Sequence, residues 1–405
     1  MGKNMSFGLH EALRLTLEHI KPLPVESVAL TESLDRTIAT DLYALVDSPS
    51  MDSSLKDGYA VFSSEVADAT PERPVRLRLA GYLAAGGEQQ IKLMSGSAVR
   101  ILTGAGLPAG ADAVVSEEFV QSEGNDLLVA NFAEPGRNIL PQGSDVTCQK
   151  CIIRSGRQIS PGVTGLLAAA GHSMVPVFKK PLVGIVATGD EIVAPGQPLT
   201  EGKLYASNLT TLAAWCSKYR METRLAIVPD DYDAIFSTLK TMTAETDTVM
   251  TSGGAWTSDR DMVARVYENL GWQEVFHRIR IGPGKAVGFG LLDEKPVFIL
   301  PGGPSSNLMG FLQIALPGLL ALAGQENPGL PRINARLGAE LRGREPDWTD
   351  FFFGGLEENK ELPIFHPLKW RSRLCSVAEA GAVASIPEGQ GVIPAGTVIS
   401  VQLLM

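Results

Sequence analysis

Between residues 182 and 322, three hydrophobic runs each break into a glycine-rich corner and then into a helix-forming segment. The first is Leu182-Val183-Gly184-Ile185-Val186-Ala187, followed by Thr188-Gly189-Asp190-Glu191. The second, Thr248-Val249-Met250, enters Thr251-Ser252-Gly253-Gly254 and then Asp259-Arg260-Asp261. The third, Val297-Phe298-Ile299-Leu300, enters Pro301-Gly302-Gly303-Pro304-Ser305-Ser306-Asn307. Hydrophobic strands that alternate with helical stretches at 208–219, 231–242, 260–270 and 305–323 predict a parallel sheet with helices on both faces. Corners of this type gather at the carboxyl edge of such a sheet, where backbone N–H groups can approach an anion. Their repetition predicts a site for a phosphorylated ligand.

The rest of the chain changes pattern. Residues 6–20 have helical spacing and are closed by Pro22 and Pro24. From about residue 27 to 138, short alternating runs such as Val75-Arg76-Leu77-Arg78-Leu79 predict a β-rich module. Gly162 to Ala170 reads as a small-residue helix, followed by the strand Met174-Val175-Pro176-Val177. After Pro328 the runs are strand-like again, and frequent turn signals predict a small β-barrel or sandwich. The apolar stretch Leu312 to Ala323 is interrupted by Pro317 and reads as a buried helix rather than a membrane span. With no leader pattern either, the expected location is the cytoplasm, with no membrane partner.

A formal charge of −10 excludes a general nucleic-acid binder but leaves room for a locally basic anion site. Four cysteines in 405 residues give no disulfide framework. Cys148 and Cys151 form a single C-x-x-C, read as reduced thiols at a turn.

Each corner motif has a structural alternative. Asp190 and Glu191 could bind a divalent metal or a substrate hydroxyl, or cap a helix. Asp259 and Asp261 stand where carboxylates also favour a helix N-terminus. Lys285, in Ile281-Gly282-Pro283-Gly284-Lys285, could bind an anion or be merely solvated. Lys56-Asp57-Gly58-Tyr59-Ala60-Val61 and Thr103-Gly104-Ala105-Gly106 read locally as turns beside strands.

Taken in order, these segments resemble the MoeA-type molybdenum insertases, which include the E domain of gephyrin. The resemblance runs through D-G-Y-A-V at Asp57–Val61, R-I-L-T-G-A from Arg100, P-A-G-A-D-A-V-V to Val115, and G-R-N…G-S-D-V from Gly136 to Val146. It continues through Thr188–Ile192, Ser252–Gly254, P-G-K at Pro283–Lys285 and L-P-G at Leu300–Gly302. It implies a split helical first domain for dimerisation (1–26 and 139–179) with an inserted β-rich domain (27–138). An α/β molybdopterin-binding domain (180–327) and a C-terminal β-barrel (328–405) follow.

The activity implied is insertion of molybdate into adenylylated molybdopterin, with release of AMP and with Mg²⁺ as cofactor. Asp57, Thr103, Asp145, Glu191, Asp231 and Asp261 are implied to line or support the cleft, Glu191 and Asp261 as metal ligands. Thr188, Gly189, Asp190, Ser252, Gly253, Gly254 and Gly302 are implied to bind the pterin adenylate, while Lys285 and Ser306 meet the oxyanion. A homodimer with its active site at the interface is implied, as is a molybdopterin adenylyltransferase partner. Several positions depart from the pattern. Gly282 and Gly303 replace the usual lysine and asparagine, Lys56 precedes Asp57, and Trp348 and Phe353 align with two arginines. Lys56, Arg371 and Arg373 are the available replacements for the missing charge. Three other readings remain open: a tungstate-selective insertase, a non-catalytic pterin-binding scaffold, and an unrelated nucleotide hydrolase using the same α/β module.

Overall fold

The computed structural model describes residues 7–87, 91–253, 262–368 and 373–404, with only the backbone described at Arg373. The predicted parallel sheet is present, with strand order Thr223–Val228, Val183–Thr188, Thr248–Ser252, Lys295–Leu300, Gly288–Leu292 and Gln273–His277. The first four strands are mutually parallel, and Gly288–Leu292 runs antiparallel to its neighbours on both sides. Val183–Thr188 and Thr248–Ser252 are buried at every position because helices cover both faces, which explains their unbroken hydrophobic runs.

Helix Tyr232–Glu245 covers one face with Ile235, Leu239 and Met242, spaced by one and two turns. The opposite face packs Ile185, Phe289 and Phe298 against Leu212, Phe311 and Leu319. The helix that supplies Phe311 and Leu319 runs without a break from Pro304 to Leu322, so Pro317 does not interrupt it. A π-helical turn at Phe311–Ala315 ends one residue short of the proline and changes the hydrogen-bond spacing where the proline supplies no N–H. This helix is long and apolar enough to cross a membrane, but 89% of its most apolar window is buried inside the protein.

The sequence before residue 44 pairs with the sequence after residue 150: Val25–Ala29 lies antiparallel to Met174–Phe178, and Leu42–Tyr43 to Cys151–Ile153. Between these halves the chain leaves to form a separate six-stranded sheet, in which Gly58–Val61 pairs with both Ser97–Ile101 and Ala113–Ser116. The C-terminal strands Thr349–Glu357, Ile364–Pro367, Arg332–Leu337, Val398–Leu403 and Ala382–Ile386 close into a barrel through the pairing of the first and last. The short strand Ile281–Gly282 adds in parallel to Thr349–Asp350, joining the α/β unit to the barrel.

Candidate functional site

The parallel register brings the three corners together. Ala187 pairs with Ser252, and Ser252 with Leu300, so Thr188, Gly253 and Pro301 end the strands side by side. Thr188 and Gly253, with Gly302 next to Pro301, floor a cleft of about 470 Å³. Thr188, Glu191, Ser252, Gly253 and Gly302, all expected from the sequence, line it. Leu199, Leu204 and Tyr205 form an apolar, largely exposed rim, and Leu374 reaches in from the C-terminal region.

The polar floor depends on two asparagines that local reading missed. The Asn307 side-chain amide, 1% exposed, donates to Ser252 Oγ at 3.0 Å and to the Pro301 carbonyl at 2.9 Å. Asn208 donates to the same Ser252 oxygen at 3.3 Å and to the Gly302 carbonyl at 2.8 Å. Ser252 Oγ therefore accepts twice, which leaves its own hydrogen to donate. Beside it, Thr188 Oγ1 is buried without a hydrogen-bond partner. The floor thus presents hydroxyl chemistry to whatever fills the cleft.

The glycine N–H groups serve a different purpose from the one expected. Gly189 N–H donates to the Val228 carbonyl and Gly253 N–H to Leu300, both at 3.2 Å, so they extend the sheet ladder instead of facing an anion. Gly253 is required sterically as well. Its φ is +110°, and a Cβ there would lie 2.6 Å from the Thr188 carbonyl oxygen.

The carboxylates divide by role. Glu191 stands exposed on the cleft wall. Asp190 accepts from the Asp230 N–H at 3.1 Å, and its carbonyl is held by Lys203. Asp231 is the N-cap of helix Tyr232–Glu245, accepting from the Ala234 N–H at 2.9 Å. Gly254, Asp259, Asp261 and Arg371 lie outside the described residues, as does the Arg373 side chain. Among the described residues, no group of three or more His, Cys, Asp or Glu side chains could hold a metal ion.

Lys285 is exposed on a loop that packs against the start of the long helix, where a Cβ on Gly284 would lie 3.4 Å from the Ser306 carbonyl oxygen. The two residues expected to meet an oxyanion are therefore on touching segments. The departures nearby have a packing cause. Asp350, 3% exposed, accepts from the Arg344 N–H at 2.6 Å. Its other oxygen would lie 2.5 Å from a Cβ on Gly282, so no side chain fits there unless Asp350 moves. Phe353 is 6% exposed in the main core, and Trp348 is half-buried.

Asp57 and Thr103 form a second cluster on the inserted sheet. Asp57 Oδ1 accepts from both the Thr103 N–H and its hydroxyl at 2.7 Å. These bonds, the backbone one foremost and with Arg100 nearby, hold the carboxyl below its usual range. The contact's contribution is complete above the unfolded-state range and disappears only as pH falls through the depressed value. Lys56 and Asp145 are exposed, and neither they nor Asp57 line the same chain's cleft. Cys148 and Cys151 are free thiols at a turn.

Comparison with known proteins gives this geometry a context. The MoeA N-terminal region, domains I and II, matches residues 7–171, and a probable molybdopterin binding domain matches residues 184–321. The molybdopterin molybdenumtransferase of Bacillus subtilis is 31% identical over 409 residues, covering 99% of this chain and 95% of its own. That of Synechococcus elongatus is 31% identical over 411 residues, covering 99% and 100%. The chain belongs to the MoeA family. A solved MoeA molybdopterin-biosynthesis protein from Pyrococcus horikoshii superimposes with a TM-score of 0.84 at 32% identity, covering 98% of this chain and 99% of that one. Thr188, Ser252 and Gly302 of this MoeA-family chain all fall in the stretch that matches the molybdopterin-binding model.

Proposed function

We propose that this chain inserts molybdate into adenylylated molybdopterin and releases AMP. Family membership makes it an enzyme of molybdenum cofactor biosynthesis, a molybdopterin molybdenumtransferase. One observation carries the fuller reading: a hydroxyl-lined floor and an apolar rim meet in one cleft at the carboxyl edge of the sheet. In this reading Tyr205, Leu204 and Leu199 cover the planar pterin, while Thr188 and Ser252 meet phosphate oxygens. Lys285 and Ser306, with the Asp190 and Gly302 backbone supporting the loops, receive the molybdate dianion.

Mg²⁺ suits the donor set. The Thr188 hydroxyl is buried without a partner, and the Glu191 carboxylate lines the same cleft. Such hard oxygen donors, few in number, match an ion that keeps much of its water, and Asp261 would be a further carboxylate donor. When bound, Mg²⁺ neutralises phosphoanhydride charge. Within the chain itself, Ser252 donates a hydrogen bond to the phosphoryl group, and Glu191 orients the water that attacks it. The apolar rim limits competing water, and AMP leaves as the anhydride breaks.

The test is AMP release from adenylylated molybdopterin with molybdate and tungstate in parallel. Glu191→Gln is expected to slow release about 100-fold. Because Glu191 is exposed, unfolding stability should stay within about 0.5 kcal/mol of wild type. The crowded Gly282 and the core-facing Phe353 give the tungstate-selective and non-catalytic readings their basis. Release with tungstate alone would establish the first, and release with neither oxyanion the second.

We also read the chain as a homodimer of four-domain subunits, with the first boundary of the inserted domain moved from residue 27 to about 44 by the pairing of Val25–Ala29 and Leu42–Tyr43, and with one protomer's Asp57–Thr103 cluster completing the other's cleft. Helix Pro161–Ala169 supports this, since it carries no charge and buries only Leu167. Leu45 and Val46 are exposed beside it, the Leu45 N–H donating to the Ala170 carbonyl at 2.9 Å. Leu166→Glu should therefore convert a dimer to a monomer by light scattering and lower AMP release with it. A pterin adenylyltransferase would supply the substrate.

A further inference from the structure

The opposite, amino-terminal edge of the same sheet carries another cavity, of about 230 Å³. It lies where three parts of the chain meet: Thr37, Gln158 and Phe178 from the first domain, Lys180 and Lys218 from the α/β unit, Leu403 from the barrel. Lys180 stands just before strand Val183–Thr188, and Thr188, in the cleft already described, ends it. Six residues of strand separate the two sites by roughly 20 Å.

The charges around this cavity do not cancel. Arg220 is paired with Asp35 at 3.4 Å, and Arg36 with Glu26. Lys180 and Lys218 have no carboxylate partner among the described residues. Their ammonium groups donate hydrogen bonds to backbone carbonyls, Tyr219 O at 2.8 Å and Leu404 O at 2.9 Å, and that of Lys218 also lies over the Trp215 ring, 4.8 Å from its centre. Each ammonium has three donors, so each keeps hydrogens to offer. Arg36 Nε, beside them, is buried with no acceptor. Burial first, and then the Arg36 charge, brings the Lys180 ammonium down to about 8, and Arg220 acts in the same direction against Asp35. An anion in the cavity would offset both effects. The rest of the lining is mixed: Phe178, Met221, Leu320 and Leu330 are apolar, Thr37, Gln158 and Gln325 are neutral and polar, and the carboxylate, Asp35, is the partner of Arg220.

We propose that this cavity is a second ligand site, for a small organic anion whose carboxylate or phosphate meets Lys180 and Lys218 and whose apolar body packs on Phe178 and Leu320. Its occupant would touch the first domain, the α/β unit and the barrel together, and so stiffen the joint between them.

Calorimetric titration of the full-length protein with phenyl phosphate, benzoate and inorganic phosphate at pH 7 tests this. One phenyl phosphate per chain is expected, with inorganic phosphate binding more weakly because it has no apolar body. Lys180→Met and Lys218→Met should each weaken phenyl phosphate about tenfold or more, as expected for a lost charge-assisted hydrogen bond. Lys180→Arg should largely restore binding, and Ser252→Ala, at the far cleft, should leave it unchanged. AMP release retained by Lys180→Met shows that this variant is folded. Absence of saturable phenyl phosphate binding up to about 10 mM would overturn the site. Loss of binding in Ser252→Ala, but not in the lysine variants, would overturn it equally. Equal affinity for phenyl phosphate and inorganic phosphate would refute the organic ligand.

Discussion

Gly253→Ala is expected to lower unfolding stability by about 2–4 kcal/mol in urea titration and to reduce AMP release at least 100-fold in the fraction that remains folded. Two costs combine. At φ +110° a side chain is strained wherever it sits, and here the added methyl would also lie 2.6 Å from the Thr188 carbonyl and 3.0 Å from its hydroxyl. Neither atom can retreat far, because Thr188 ends a fully buried strand paired on both sides. Relief comes only by moving the end of that strand, and with it the cleft floor. Gly196→Ala is the control. It has a similar positive φ, +89°, with nothing within 4 Å of the new methyl, so it should show the strain alone, about 1–2 kcal/mol, with activity unchanged. Equal losses in the two variants would show that the contact with Thr188 is immaterial.

Asn307→Asp should be the more disruptive of two substitutions at the buried amide, although it preserves shape. The asparagine amide faces two acceptors, Ser252 Oγ and the Pro301 carbonyl. A carboxylate there sets a charge against the Pro301 carbonyl, which cannot donate, in a site 1% exposed, at about 3–5 kcal/mol. Asn307→Ala leaves only that carbonyl unpaired, because Ser252 Oγ keeps Asn208, at about 1–3 kcal/mol. The pH dependence separates them. Burial raises the introduced carboxyl's folded-state value above its unfolded one, so the folded state holds the proton more tightly. Stability of Asn307→Asp should therefore rise as pH falls from 7 toward 5, as protonation restores a donor, while that of Asn307→Ala stays flat relative to wild type. Parallel urea midpoints at the two pH values decide it.

The cleft was legible where its signals were local. Thr188, Ser252 and Gly302 each follow a hydrophobic strand within a few residues, and parallel pairing puts the ends of such strands at one edge. Asn208 and Asn307 carried no comparable signal. They meet Ser252 across 44 and 55 residues of sequence, and a polar residue in the first turns of a helix reads as solvated until the fold buries it. Asp231 shows the opposite case, since its capping bond reaches only three residues ahead. Pro317 misled because its effect depends on the turn before it, which π-helical spacing accommodates within a fully packed helix.

The sequence by itself determined the classes of element, the parallel sheet and the family, because hydrophobic period, glycine corners and ordered motifs are properties of neighbouring residues. Only the tertiary structure decided what each corner does. It turned the Gly189 and Gly253 N–H groups into the sheet ladder, gave the floor to two distant asparagines and set Asp350 against Gly282. It also opened a cationic cavity at the far end of the same strands. Hydrogen bonds and close packing are satisfied in space, between groups whose separation along the chain carries no record of their meeting.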